Sequence, residues 1–407
     1  LNRMTREGLC GLMYPISPGI PPSSDTAHLT IFGYDLSKEY TGRGYFEALG
    51  ANIPLEEGDV ALRVNFATVK KENNKLIIVD RRAARPSGDE LKKLAEDLQK
   101  EIEARGLNAK IYHTLQHRGV LVIKGKNRKL SRMISDVDPH EVGLPVLKAM
   151  PLEETPKDEI EAAQRTSNIV NEIVKISYEL FNEHEVNLDR EKRGLLKANI
   201  ILPRGAGIAI KITPFSEKWG FNPAFVAAGP LYRGIAETVG MSDIPVSGAT
   251  GTVNTDLNAK VRGVIKALDK GYDFVFLHIK AADNLSHDMK PKEKAEFISR
   301  INDALEPLLE LPDIVLAVTG DHSTSSVAGR HIGMPVPIVF WSDRIRRDNA
   351  RRFTELECGE KGGLGIIFGK DVMQILLDLS DRTMEYGMRP SPKQVTYYGA
   401  LGEPLTL

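Results

Sequence analysis

Histidines and aspartates follow the ends of two apolar runs, the place where a metal site can be built. Asp313-Ile-Val-Leu-Ala-Val-Thr319 is closed by Gly320 and followed at once by Asp321 and His322. A second run, Tyr272-Asp-Phe-Val-Phe-Leu-His-Ile279, leads into Asp283-Asn-Leu-Ser-His287, and His331 comes later in Gly329-Arg-His-Ile-Gly333. Apolar runs of this length, bounded by Pro and Gly, read as buried parallel strands. Open α/β sheets bind ligands just beyond the carboxyl ends of their strands. Two carboxylates and three imidazoles, in a chain with only 9 histidines, therefore make the ligand set of a two-metal site. Such oxygen and nitrogen donors suit Mn²⁺, Zn²⁺ or a similar ion. Two ions about 4 Å apart would clamp the attacking and leaving oxygens of a phosphoryl transfer.

A nucleophile for that chemistry is on offer in Ser23-Ser24-Asp25-Thr26-Ala27-His28. Ser24 has two readings. It can be an ordinary helix N-cap, or a nucleophile whose oxygen sits beside the N–H groups and positive dipole end of a helix and is held as phosphoserine. Asp80-Arg81-Arg82, with Arg85, follows a strand end, and Arg204 lies among glycines. Such arginines are solvated turn charges or bidentate partners for phosphate and carboxylate. His117, before Arg118, is either a satisfied turn histidine or a proton shuttle. The Gly-rich Glu360-Lys-Gly-Gly-Leu-Gly365 lacks the spacing of a phosphate-binding P-loop and reads as a turn before a helix. Asn284-Leu-Ser286 matches a glycosylation sequon but lies inside the metal motif.

The elements that must hold these residues come in two textures. From about Pro54 to Pro214 they are short and alternating. A hairpin joins 60–69 to 75–80, and Ser87-Gly-Asp-Glu90 is a capping box before an amphipathic helix. Strands are expected at 109–113, 119–123, 198–203 and 207–213, with a long helix opening at Thr155-Pro156. That is an α+β lobe with an antiparallel sheet. Beyond Pro214, strands at 225–228, 272–279, 313–319 and 335–340 alternate with helices, which predicts a doubly wound, mainly parallel sheet. Residues 9–53 are loop-heavy and too short for a domain. The expectation is one α/β domain from 1–53 plus 219–407, with 54–218 inserted into it.

Size and charge agree with such an enzyme. The chain has 407 residues, a net charge of −1, and Lys and Arg matched by Asp and Glu, so no nucleic-acid partner is expected. No apolar run approaches the ~18 residues of a membrane helix, and no signal peptide opens the chain. With Cys10 and Cys358 the only cysteines, a disulfide framework is not expected and a reducing, cytoplasmic setting is. Leu1, Met4 and Gly8 read as the last turns of a helix and its closing glycine, which implies that at least a strand and a loop stand ahead of them.

The motifs resemble the archaeal type of cofactor-independent phosphoglycerate mutase, a family of the alkaline phosphatase superfamily. The resemblance rests on Ser-Asp-Thr-Ala-His-Leu at 24–29, Gly-Arg-Gly-Tyr-Phe-Glu-Ala-Leu-Gly at 42–50 and Arg-Val-Asn-Phe-Ala-Thr at 63–68. It continues through Asp-Arg-Arg-Ala-Ala-Arg at 80–85, Asp-Pro-His-Glu at 138–141, Arg-Gly-Ala-Gly at 204–207, Gly-Ala-Thr-Gly at 248–251 and Gly-Asp-His-Ser-Thr at 320–324. It runs in order to about residue 385. The tail from Met388 has no counterpart.

The resemblance implies an alkaline phosphatase-like fold with an inserted transferase domain. The implied reaction is isomerisation of 3-phosphoglycerate and 2-phosphoglycerate through a phosphoserine, in glycolysis and gluconeogenesis. Ser24 would be the nucleophile. Asp283, His287 and His331 would hold one metal, and Asp321, His322 and Ser24 the second, Mn²⁺ before Zn²⁺, Co²⁺ or Mg²⁺, with no organic cofactor. Arg81, Arg82, His117, Arg204 and Arg233 would contact the substrate. A further ligand, in an N-terminal Asp-Gly-x-Gly-Asp-type motif of the family, is absent here. The resemblance implies no membrane or nucleic-acid partner and leaves a homo-oligomer open. Two rival readings are another phosphomutase or phosphatase of the superfamily, and an inactive metal-binding protein.

Overall fold

A computed structural model of the chain describes residues 1–86, 89–126 and 128–406. In chain order its strands are β1 (Leu9–Tyr14), β2 (Val60–Glu72), β3 (Lys75–Asp80), β4 (Ala109–His113), β5 (Arg118–Ile123), β6 (Ile200–Gly207), β7 (Pro223–Val226), β8 (Ser242–Asp243), β9 (Phe274–Leu277), β10 (Leu316–Thr319), β11 (Ser323–Ser325), β12 (Arg330–Ile332), β13 (Val336–Trp341) and β14 (Gly365–Phe368). The fold is mixed α/β with several sheets. It divides into two compact units, Leu1–Tyr40 with Ile212–Leu407, and Thr41–Lys211. These limits differ from 53/54 and 218/219 chiefly because the helix Arg43–Gly50 packs on β2 and β6. Gly44 permits that approach, since a Cβ there would lie 2.1 Å from the Ala61 carbonyl oxygen. Among the described residues no helix is long and apolar enough to cross a membrane.

The first unit carries a four-stranded sheet in the order β10-β13-β1-β14, a three-stranded parallel sheet β8-β7-β9, and the ribbon β11-β12. One expectation needs correcting. β13 runs antiparallel to both β1 and β10, so the four-stranded sheet is mixed. The reason lies in the connection: between Thr319 and Val336 the chain makes only the ribbon, with no crossover helix to return it in parallel. β1 and β14 pair in parallel and were not foreseen as strands. Gly8 also differs, because it is extended rather than left-handed. It is small for another reason: a Cβ would lie 2.4 Å from the Phe340 carbonyl oxygen. Among the described residues β9 pairs only with β7 and β10 only with β13, and both strands line a cavity of about 1250 Å³. The two strands lead toward Asp283 and Asp321, so both run to the same end of that cavity.

The second unit is an antiparallel sheet in which β2 pairs with β3, β5 and β6, and β5 with β4. Residues Val60–Val69 are all buried, because β2 is covered on both faces. Asn73 and Asn74 turn the β2–β3 hairpin with positive φ, a conformation Asn tolerates. The amphipathic helices Asp89–Ala104 and Ile160–Asn182 close its core with Leu94, Leu98, Val170 and Ile173. Ser87 and Gly88, half of the expected capping box, lie outside the described residues. The two strands expected at 198–203 and 207–213 are one strand, β6, which ends at Gly207. Its register against β2 shifts near Arg204, and Gly205 takes a positive φ, so the glycines bend one strand instead of turning between two.

Candidate functional site

Ser24 opens the helix Ser24–Ile31, and Ser23, not Ser24, takes the cap position. The Ser23 N–H donates to Thr26 Oγ1 at 3.2 Å, which leaves the Ser24 hydroxyl free of capping duty. Ser24 is buried, and its Oγ lies 3.1 Å from His322 Nε2 and 3.3 Å from the hydroxyl of Tyr232, which donates to it. His322 Nε2 is also 3.1 Å from Asp321 Oδ2. Asp321 and His322 follow β10, Asp283 and His287 lie on the helix Ala281–His287 that follows β9, and His331 lies on β12. The expected residues therefore meet in the first unit. Asp283, His322 and His331 bring their donor atoms within 4.8 Å of one another, and the His322 and His331 rings stack at 3.6 Å. The two expected ligand sets thus share one cluster.

Backbone carbonyls decide which ring nitrogens are lone pairs. His287 Nδ1 lies 2.7 Å from the Gly329 oxygen, and His331 Nδ1 lies 2.8 Å from the Pro22 oxygen. A carbonyl only accepts, so each Nδ1 holds the proton and each Nε2 presents a lone pair. Those two Nε2 atoms are 3.2 Å apart. Asp283 Oδ1 lies 3.4 Å from one and 3.6 Å from the other. Burial lowers the His287 pKa against the pull of Asp283, which favours the neutral ring. Three electron pairs converge with no proton to share, and a divalent cation suits that arrangement. The donor set fits a metal.

The two carboxylates are ionised. Burial alone would raise Asp283, but its contact with His331 and the charge of Lys280 hold it far below the usual carboxylate range. Burial would likewise raise Asp321, and its bond to His322 and the nearby His28 outweigh that. Lys280 pairs with Asp283 Oδ2 and stands over the Tyr232 ring at 5.4 Å. Burial would lower its pKa, yet Tyr232, Asp283 and Asp321 raise it, so it is a cation. His28 donates from Nδ1 to the Ser24 carbonyl at 2.6 Å. His278 stacks on Tyr232 at 3.6 Å, and its buried Nδ1 has no partner among the described residues. Lys280, Tyr232, His28 and His278 were not singled out from the sequence. Their residue types are common, and only their place near Ser24 marks them.

The second unit holds a different cluster. Glu47, on the helix Arg43–Gly50, lies 3.3 Å from Arg63 and 3.5 Å from Arg43. Burial would raise its pKa, but Arg63, then Arg43, Arg118 and Arg204, hold it low. Burial, with Arg43 nearby, pushes Arg204 down to about 10. Burial, with Arg118, Arg63, Arg82 and Arg85 nearby, pushes His117 down to about 2. Arg81 grips Asp138 with Nε at 2.9 Å and Nη2 at 2.6 Å. Arg204 reaches His140 Nδ1 at 3.0 Å and Asp138 at 3.8 Å. The Nε atoms of Arg63, Arg118 and Arg204 are buried without a partner among the described residues. Positive charge exceeds negative charge here, as an anion site requires. Arg81, Arg82, His117 and Arg204 belong to this cluster or border it. Arg233 does not, being in the first unit, where Asp243 at 3.0 Å and Glu237 at 3.5 Å engage it. Arg63 and Arg118 went unassigned from sequence, although an arginine inside the continuous apolar run of β2 needs buried partners and was a readable signal.

Comparison with known proteins agrees on one family. A family model described as 2,3-bisphosphoglycerate-independent phosphoglycerate mutase matches residues 5–187. A protein of that name, numbered 1, from Methanocaldococcus jannaschii is 42% identical over 393 residues, covering 95% of this chain and 92% of its own length. One from Pyrococcus horikoshii is 42% identical over 391 residues, covering 95% of this chain and 91% of its own. Among solved structures, the cofactor-independent phosphoglycerate mutase of Thermoplasma acidophilum matches with a TM-score of 0.60 at 33% identity, covering 93% of this chain and 91% of that one.

Proposed function

The chain belongs to the 2,3-bisphosphoglycerate-independent phosphoglycerate mutases, and we propose that it interconverts 3-phosphoglycerate and 2-phosphoglycerate through a phosphorylated Ser24. It is an isomerase of the glycolytic type. The observation that carries the proposal is Ser24 Oγ, buried at the start of a helix, 3.1 Å from His322 Nε2 and beside a cluster of convergent metal donors. In the first step Ser24 Oγ gives up its proton and bonds to phosphorus as the bond to the C3 oxygen breaks, and that oxygen takes up a proton in its place. In the second the C2 hydroxyl attacks the phosphoserine, loses its proton and frees Ser24. Lys280 and the helix N-terminus stand where negative charge grows.

We assign Asp283, His287 and His331 to one divalent cation and Asp321, His322 and Ser24 to a second, with Mn²⁺ the ion favoured by the donor types. When bound, such ions supply the positive charge that holds Ser24 Oγ and the phosphoryl oxygens. For the glycerate we propose Arg81, Arg82 and Arg204, joined by Arg63 and Arg118. Arg233 is proposed as a phosphate contact, for which Asp243 and Glu237 would have to yield. At the finer level we read the fold as alkaline phosphatase-like, with residues 54–218 an inserted domain.

The test is an assay with Mn²⁺ and 3-phosphoglycerate, without 2,3-bisphosphoglycerate, that follows 2-phosphoglycerate and free phosphate together. Formation of 2-phosphoglycerate without phosphate is expected, and Ser24→Ala should abolish both turnover and acid-stable labelling of the protein. Release of phosphate alone would make the protein a phosphatase.

A further inference from the structure

Thr324 lies midway between the two proposed metal sets and belongs to neither. It sits on β11 directly opposite His331 in the β11–β12 ribbon, and its side chain is buried. Its Oγ1 is 2.8 Å from Asp283 Oδ1 and 3.0 Å from His322 Nδ1. A hydroxyl has one proton to give, and an ionised carboxylate can only accept. The proton of Thr324 therefore points to Asp283, and the remaining lone pair takes the Nδ1–H of His322. Asp321 Oδ2, 3.1 Å from His322 Nε2, would by itself draw a proton to that nitrogen, so the Thr324 acceptor is what holds the proton on Nδ1 and leaves a lone pair on Nε2, 3.1 Å from Ser24 Oγ.

We infer that Thr324 is a positioning residue: its hydroxyl selects the His322 tautomer whose Nε2 lone pair faces Ser24, and in the same contact fixes Asp283, so one side chain orients a ligand of each metal set. The inference rests on the metal assignment of Asp283 and His322. β-branching restricts χ1 of Thr324 in the strand, so the oxygen is held between its two partners and not merely able to reach them. Without the hydroxyl, a neutral His322 is free to carry its proton on Nε2, where it would meet a cation with N–H instead of a lone pair. Asp283 would also lose one of the donors that hold its Oδ1. Both metal sets should then weaken together, which separates this role from that of a ligand serving one ion.

The full chain, freed of metal, provides the first measurement. Long-range ¹H–¹⁵N spectra should show His322 protonated on Nδ1, and an Nε2–H tautomer there would overturn the inference without any substitution. Mn²⁺ titration by calorimetry and dialysis comes second. Thr324→Val, which keeps the shape and loses the hydroxyl, should weaken both binding steps by about 10–100-fold, the usual cost of losing an outer partner of a ligand. Thr324→Ser keeps the hydroxyl and should restore most of the affinity. Equal Mn²⁺ binding by wild type and Thr324→Val would overturn the inference while leaving the metal site standing. Absence of Mn²⁺ binding by the wild type would overturn both.

Discussion

The two units hold mirror-image clusters. In the first, electron pairs of Asp283, His287 and His331 face one another. In the second, Arg63, Arg118 and Arg204, with Arg43, crowd about the carboxylate of Glu47. Neither arrangement is a sensible way to stabilise a fold alone, since crowding electron pairs or like charges together inside a protein is costly. Each is suited to a ligand of opposite charge. A phosphoryl transfer between two oxygens of one small acid needs both kinds of site: cations for the phosphoryl group and nucleophile, and arginines for the carboxylate. The contrast predicts that each cluster fails in its own way.

The largest effect is expected in the first unit. Asp283→Asn and His331→Ala each remove a donor, so bound Mn²⁺ and turnover should fall together, by more than the ~10–100-fold typical of an outer partner. Metal content by mass spectrometry, read beside kcat, checks this. Normal metal and normal turnover in both variants would break the comparison at its root. Melting of His331→Ala in EDTA should change little or rise, because removing one of the converging electron pairs relieves the metal-free cluster, whereas Asp283→Asn also gives up the pair with Lys280 and should melt lower.

In the second unit, stability and binding should respond in opposite senses to the same change. Glu47 and Arg63 are both buried, with side chains 6% and 7% exposed. Glu47→Gln leaves the arginines without their carboxylate, and breaking a buried pair costs about 3–5 kcal/mol. The melting temperature should drop, while phosphate or sulfate in the buffer should recover much of it by occupying the vacated charge. The pH dependence has a definite sign. Glu47 is held below its ordinary value of 4.5, so its contribution is full above that pH and lost as the pH falls below it. Acid melting of Glu47→Gln should therefore be flatter than that of the wild type in this range. A steep acid limb kept by the variant would assign the acid sensitivity elsewhere.

What could be read from the sequence follows from how residues earn their roles. That Asp283, His287, Asp321, His322 and His331 gather in one place was legible because several histidines, a rare type, stood beside aspartates just past the ends of apolar strands. Thr324, Tyr232 and Lys280 were not, since hydroxyls and ammonium groups are ordinary and their function here is proximity alone. β1 and β14 were missed for a related reason: Leu9–Tyr14 and Gly365–Phe368 are six and four residues long and lie among glycines and prolines. What makes them strands is pairing with each other and with β13. β13 itself was expected to run parallel, a direction that strand composition does not encode and that the short return from β10 decides.

The smallest effect concerns His117, for which sequence left a turn residue and a proton shuttle open. Burial, and then Arg118, Arg63, Arg82 and Arg85, push its pKa down to about 2, so it is neutral throughout the range in which the enzyme can be assayed. A shuttle needs a pKa near the working pH. The ring should therefore act as a neutral wall of the anion cluster. Its ¹⁵N shifts should not titrate between pH 5 and 8, and the pH profile of kcat/KM should have the same shape in His117→Gln as in the wild type. Stability, unlike catalysis, should respond to this ring: the unfolded chain takes up a proton below about 6.5 that the folded chain refuses, so folding is favoured less as the pH drops through that value. His117→Gln should remove this slope. A limb of the kcat/KM profile near pH 6.5 that vanishes in the variant would restore the shuttle and show that the arginines do not crowd the ring as closely as their positions require.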